Sequence, residues 1–71
     1  MKTVSIQGET IELAKFLKFA GLVETGGHAK VAITSGLVKV NGTVAGQRAL
    51  KLRAGDRVEF EGVTLEINSS V

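Results

Sequence analysis

The sequence predicts an α+β fold in which two helices pack on a small, mostly antiparallel sheet of four to five short strands. Three observations predict it. Two stretches in the first half carry apolar residues at helical spacing, Leu13/Phe16/Leu17/Ala20 and Ala29/Ala32/Ile33. The second half alternates apolar and polar residues at period two and is punctuated by Asn41-Gly42 and Glu61-Gly62, pairs suited to tight hairpins. Helices and strands also come in blocks, without the strand–helix–strand alternation of a parallel sheet.

Taken in order, "KTVSI" (residues 2–6) reads as a strand, which Gln7-Gly8-Glu9 breaks. Thr10 is placed to cap a helix, with Glu12 in its first turn, where the helix dipole favours an anion. Gly21 ends that helix. Thr25 or Gly26 caps the next, which runs through "HAKVAITS" to Gly36, with Val31 at the margin of its inward stripe. "LVKV", Asn41-Gly42 and "TV" then form a strand, a turn and a returning strand, with Val38 and Val40 on one face and Lys39 on the other. "AGQRALKLRAGD" is expected to be an irregular connection ending in a Gly-Asp turn. "RVEF" and "VTLEI" form the last hairpin, with Val58, Phe60, Val63, Leu65 and Ile67 towards the core and Glu59 and Glu66 towards water. The tail "NSSV" is expected to fray.

Seventy-one residues make one domain, expected to span 1–71. A chain of this length buries only about 60% of its unfolded surface. It has no cysteine, so neither disulfides nor thiolate metal sites can staple it, and its 44% apolar content must supply the core. The opening "MKTVSIQGETIELAKFL" is interrupted by Gln7, Glu9, Glu12 and Lys15, short of the roughly 7–15 apolar residues of a signal peptide or the about 20 of a spanning helix. A cytoplasmic protein without membrane partners is expected.

Charge is segregated. From Lys15 to Arg57 eight basic residues face two acids, a local net of +6, while residues 1–14 carry −1 and residues 58–71 carry −3. Such segregation fits either a basic face meeting a polyanion or a solvated mixed surface. Catalysis is not expected. There is one histidine, no cysteine, and no pairing of His and Asp or H-x-x-x-H spacing to assemble a nucleophile, a base or a metal. No cofactor is expected either.

Several residues suit anion binding. Lys15 and Lys18, three apart, are neighbours on the outside of the first helix. Phe19 lies beside Lys15 at i+4, either as an aromatic able to stack on a base or as a cover for the core edge. His28 and Lys30 fall near the start of the second helix, where unpaired N–H groups favour anions. His28 reads equally well as a phosphate donor or an ordinary helix-start residue. The Asn-Gly turn explains Asn41, whose side chain could take a second role at a phosphate or sugar. Asp56 is a turn acid and a poor phosphate ligand. Lys39, Arg48, Lys51 and Arg53 complete the candidate set.

In this order, "LAKFLKFAGL", "GGHAKVAITSG", "LVKVNG" and "LRAGDRV" resemble the S-four RNA-binding domain, also called the αL motif, with a core over 13–57. The chain is close in length to the small stand-alone bacterial members of that family. The resemblance implies a non-catalytic protein, a monomer, that binds structured RNA, ribosomal or transfer RNA, and works near the ribosome, with no DNA partner. By position it implies RNA contacts from Lys15, Lys18, His28, Lys30, Lys39 and Asn41. The second helix departs from the family in using Lys30 and Val31 where arginines and a second basic residue are usual. Lysine lacks the bidentate guanidinium fork, so phosphate geometry is read less strictly. The alternative class is a protein-interaction or ribosome-assembly module without RNA contact, whose signature would be an exposed apolar surface at Phe19, Leu22 and Val23.

Overall fold

Residues 2–69 are described by a computed structural model. Positive backbone angles set the reversals. Asn41 and Gly42 adopt φ of 53° and 85°, and Glu61 and Gly62 adopt 51° and 78°. Two consecutive positive values turn an antiparallel pair in two residues. One such turn joins β3 (Val38–Val40) to β4 (Thr43–Val44), and the other joins β6 (Arg57–Phe60) to β7 (Val63–Ser69). The preceding elements are β1 (Lys2–Ile6), β2 (Thr10–Glu12), α1 (Leu13–Phe19) and α2 (Gly26–Thr34), and β5 (Lys51–Arg53) lies between β4 and β6.

Both helices stop by the same device. Gly21 and Gly36, at φ 77° and 76°, donate to Lys18 O and Ile33 O, and Leu22 and Leu37 reach back to Leu17 O and Ala32 O at 2.9 and 3.0 Å. These paired bonds satisfy carbonyls that a helix end leaves open, and the left-handed residue they require is glycine.

The strands form a five-stranded sheet in the order β1-β7-β6-β3-β4 and a two-stranded sheet of β2 and β5. Every pairing is antiparallel except β1 with β7, which runs parallel from Lys2↔Leu65 to Ile6↔Ser69. One face of the large sheet presents Val38, Val58, Phe60, Leu65 and Ile67 to Leu13, Phe16 and Leu17 of α1 and Ala29, Ala32 and Ile33 of α2, in a single core. Leu52 of β5 is fully buried in the same core, so the small sheet is tied to it as well.

Four expectations are corrected. Residues Thr10–Glu12 are a strand, pairing Ile11↔Leu52, so Thr10 does not cap α1. The residue at the cap is Glu12, without a side-chain capping bond; the first amides of α1 are met by backbone instead, Leu13 N donating to Leu50 O at 2.9 Å and Ala14 N to Arg48 O at 3.1 Å. The 45–56 connection is for the same reason not wholly irregular. Val63 shares parity with Leu65 and Ile67 but sits at the hairpin tip and is 40% exposed. Asn68 and Ser69 do not fray, because β7 continues along β1 and Ser69 Oγ donates to Gly8 O at 3.0 Å; residues 70 and 71 of the expected tail lie outside the described residues.

Candidate nucleic-acid interface

Helix geometry sorts the residues of α1. At about 100° per residue, Leu13, Phe16, Leu17 and Ala20 share the inward arc, and Lys18, Lys15 and Phe19 occupy an outward arc of about 100°. Burial agrees: Leu13, Phe16 and Leu17 are buried, while Lys15, Lys18 and Phe19 are exposed. The two backbone bonds that cap α1 also pull residues 47–49 alongside it. An open cleft results, lined by Ala14, Lys15 and Lys18 of α1, Gln47, Arg48 and Ala49 of the connection, Glu12, and Gly26 at the start of α2. It holds three cations and one acid. The acid, Glu12, has its own cation, Lys51, whose Nζ is 3.6 Å away.

At the start of α2, Thr25 Oγ1 accepts from His28 N at 3.0 Å, so of the two expected caps, Thr25 and Gly26, it is Thr25 that caps the helix. The amides of Gly26 and Gly27 ahead of it have no partner within the helix. Lys30 follows Gly26 by four residues and thus lies one turn further along the same flank as the cleft. His28 is two residues from Lys30, so the two project from opposite flanks of the exposed arc. Val31, expected at the inward margin, is 60% exposed.

The remaining predicted residues are placed elsewhere. Lys39 projects from the face of the large sheet opposite the helices, directly across from Glu59 on β6 and Val44 on β4. That face is mixed in charge, with Arg57, Glu59 and Glu66 around a shallow hollow. Arg53 is exposed on β5, opposite Thr10. Asn41 uses both ends of its amide inside the protein: Oδ1 accepts from Arg57 N at 2.9 Å, and Nδ2 donates to Asp56 Oδ1 at 3.1 Å. Asp56 Oδ2 in turn accepts from Arg53 N at 2.9 Å, as a turn acid should. The Asn-Gly and Gly-Asp turns are thereby braced together. Gln47, which sequence reasoning did not single out, lines the cleft; it stands in a loop whose path depends on the α1 bonds, and no local pattern marks it.

A helix pair on an antiparallel-rich sheet, with Lys15, Lys18 and Arg48 lining a cleft between the first helix, the second helix's start and the connection before β5, makes an α+β arrangement. The sequence profile of the S4 domain matches residues 4–68, and the chain belongs to that family. It is 40% identical over 57 residues to YbcJ of Escherichia coli K12, a candidate RNA-binding protein, covering 80% of this chain and 81% of the relative. It is 42% identical over 59 residues to RlbA of Bacillus subtilis 168, a candidate ribosome maturation protein, covering 83% of each. The solution structure of E. coli YbcJ, described as revealing an αL motif involved in RNA binding, superposes with a TM-score of 0.71 at 38% identity, over 94% of this chain and 86% of that one.

Proposed function

We propose that this protein is a non-catalytic RNA-binding protein that holds the backbone of structured RNA, ribosomal or transfer RNA, in the cleft between α1, the start of α2 and residues 47–49. It acts as one unit, with the motif core over 13–57, in the cytoplasm and as a monomer. The observation that carries this reading is the meeting of Lys15, Lys18 and Arg48 on one concave surface, with Lys30 on the adjoining flank. The names of its relatives, RNA binding and ribosome maturation, point the same way. A-form RNA hides its major groove, so a domain this small reads phosphates and 2′-hydroxyls rather than base edges.

Four cations contacting about four phosphates give log K falling with log salt at a slope near −3. The test is a salt titration of binding to a ribosomal RNA fragment. The double variant Lys15→Glu/Lys18→Glu should lose at least about tenfold in affinity and flatten the slope by roughly 1.5, at an unchanged thermal midpoint. Salt-independent binding, or unaltered affinity in the double variant, refutes the reading. The protein-interaction alternative needed an exposed Phe19–Leu22–Val23 surface. Val23 is only 4% exposed and Leu22 is half-buried, so that surface reduces to Phe19.

A further inference from the structure

Phe19 is unlike the other aromatic residues of this chain. The sequence has three phenylalanines and no tryptophan or tyrosine. Phe16 and Phe60 are in the core at 0% and 3% exposure, whereas Phe19, at the end of α1, is 60% exposed. A single exposed Phe needs no explanation by itself. Its surroundings are what matter. Lys15, one helical turn before it, has its Cβ about 5–6 Å away. Lys18 precedes it directly, and both lysines line the cationic cleft. On its other side Phe19 lines a hollow together with Gln7, Thr10 and Ile11. Thus α1 carries positive charge on one flank and, within the same outward arc, an exposed aromatic face on the other.

We propose that Phe19 is a stacking platform for one unpaired base of the bound RNA, so that the protein prefers a helix interrupted by a bulged or looped-out nucleotide to a continuous duplex. This rests on the RNA-binding reading above and specifies its substrate class. Nucleotide geometry supports it: an unstacked base leaves the helix while its phosphate stays on the backbone, so cation and ring must be close neighbours, as Lys15 and Phe19 are. Bases splayed from RNA are commonly received on aromatic side chains. The ring then takes the face of that base, a contact every base can make. A protein partner would be held by apolar area, with no requirement for the flanking lysines.

The experiment compares two RNA hairpins of the same sequence, one fully paired and one with a single bulged purine, bound to the full chain. Removing base–aromatic stacking costs about 1–3 kcal/mol, equivalent to roughly 5- to 140-fold in affinity. The wild type should prefer the bulged hairpin by at least about fivefold. Phe19→Leu, which keeps an apolar side chain without the ring, should lose that preference and bind the paired hairpin as before, with an unchanged salt slope; Phe19→Tyr should keep it. A wild type without preference, or a Phe19→Leu protein that retains it, overturns the proposal while leaving electrostatic RNA binding intact. If neither hairpin binds at low salt, or both bind Lys15→Glu/Lys18→Glu as tightly as the wild type, the RNA-binding reading fails and the stacking platform falls with it.

Discussion

Replacing Asn41 by alanine tests whether this residue serves the fold or the ligand. Three things are lost. Oδ1 no longer accepts from Arg57 N at 2.9 Å, and Nδ2 no longer donates to Asp56 Oδ1 at 3.1 Å. The left-handed backbone, φ 53°, must also be held by a residue that tolerates it less well. A typical net hydrogen bond contributes about 0.5–1.5 kcal/mol, and the exposure of this site favours the lower half of that range. The two bonds therefore contribute about 1–2 kcal/mol, and the backbone angle adds about 1 kcal/mol for alanine. A total near 2–3 kcal/mol, at about 4–8 °C per kcal/mol for a domain of this size, lowers the thermal midpoint by roughly 10–20 °C. Asn41→Gly separates the terms. Glycine accepts the angle but has no amide, so its loss should be the smaller, about 1–2 kcal/mol. Thermal melts followed by far-ultraviolet circular dichroism measure both, and RNA titrations well below each midpoint measure affinity. Unmoved midpoints with weakened binding would refute the reasoning and make Asn41 an RNA ligand.

Lys39→Glu should weaken RNA binding less than Lys18→Glu does in the same titration, because Lys39 projects from the opposite face of the sheet; equal losses would move the interface to that face. Its new carboxylate would face Glu59 across the strand pair, and the melt should show a small loss, about 0.2–1 kcal/mol. Gly36→Ala should cost about 1 kcal/mol through its φ of 76° alone, since the added Cβ would lie 3.8 Å from Val44, an ordinary contact; a much larger drop in midpoint would point to a clash. Leu52→Ala empties a fully buried site and should cost about 2–5 kcal/mol, a large part of the about 4–10 kcal/mol expected for a chain of this size, as read by urea denaturation.

What was legible in the sequence was local. The Asn41-Gly42 and Glu61-Gly62 turns were, because neighbouring residues supply the positive angles, and so were the inward faces of both helices, because their period repeats within a few residues. The pairing of β2 with β5 was not. Each strand is three residues long, the partners are about 40 positions apart, and Thr10 and Glu12 suit a helix start as well as a strand. That one pairing also decides the site. Together with the bonds from Leu13 N to Leu50 O and from Ala14 N to Arg48 O, it brings Arg48 and Gln47 beside α1, whereas Lys15 and Lys18 could be paired from spacing alone. Lys39 looked adjacent to the helix cations in sequence order. Strand alternation had already put it opposite the valines, and the helices cover the valine side.

The parallel joint between β1 and β7 has a consequence for how the protein is made. Each residue of β1 is synthesised 63 positions ahead of its β7 partner, as Lys2 is of Leu65 and Ile6 of Ser69. Until β7 is made, β1 lacks the neighbouring strand of its sheet. At about 5–20 residues per second, the first strand waits several seconds for its place. A chain stalled before Leu65 would hold β1 without its β7 partner, its backbone open to proteases or to another sheet's edge. The parallel joint therefore closes only once β7 has been made, and the state of β1 reports whether it has arrived.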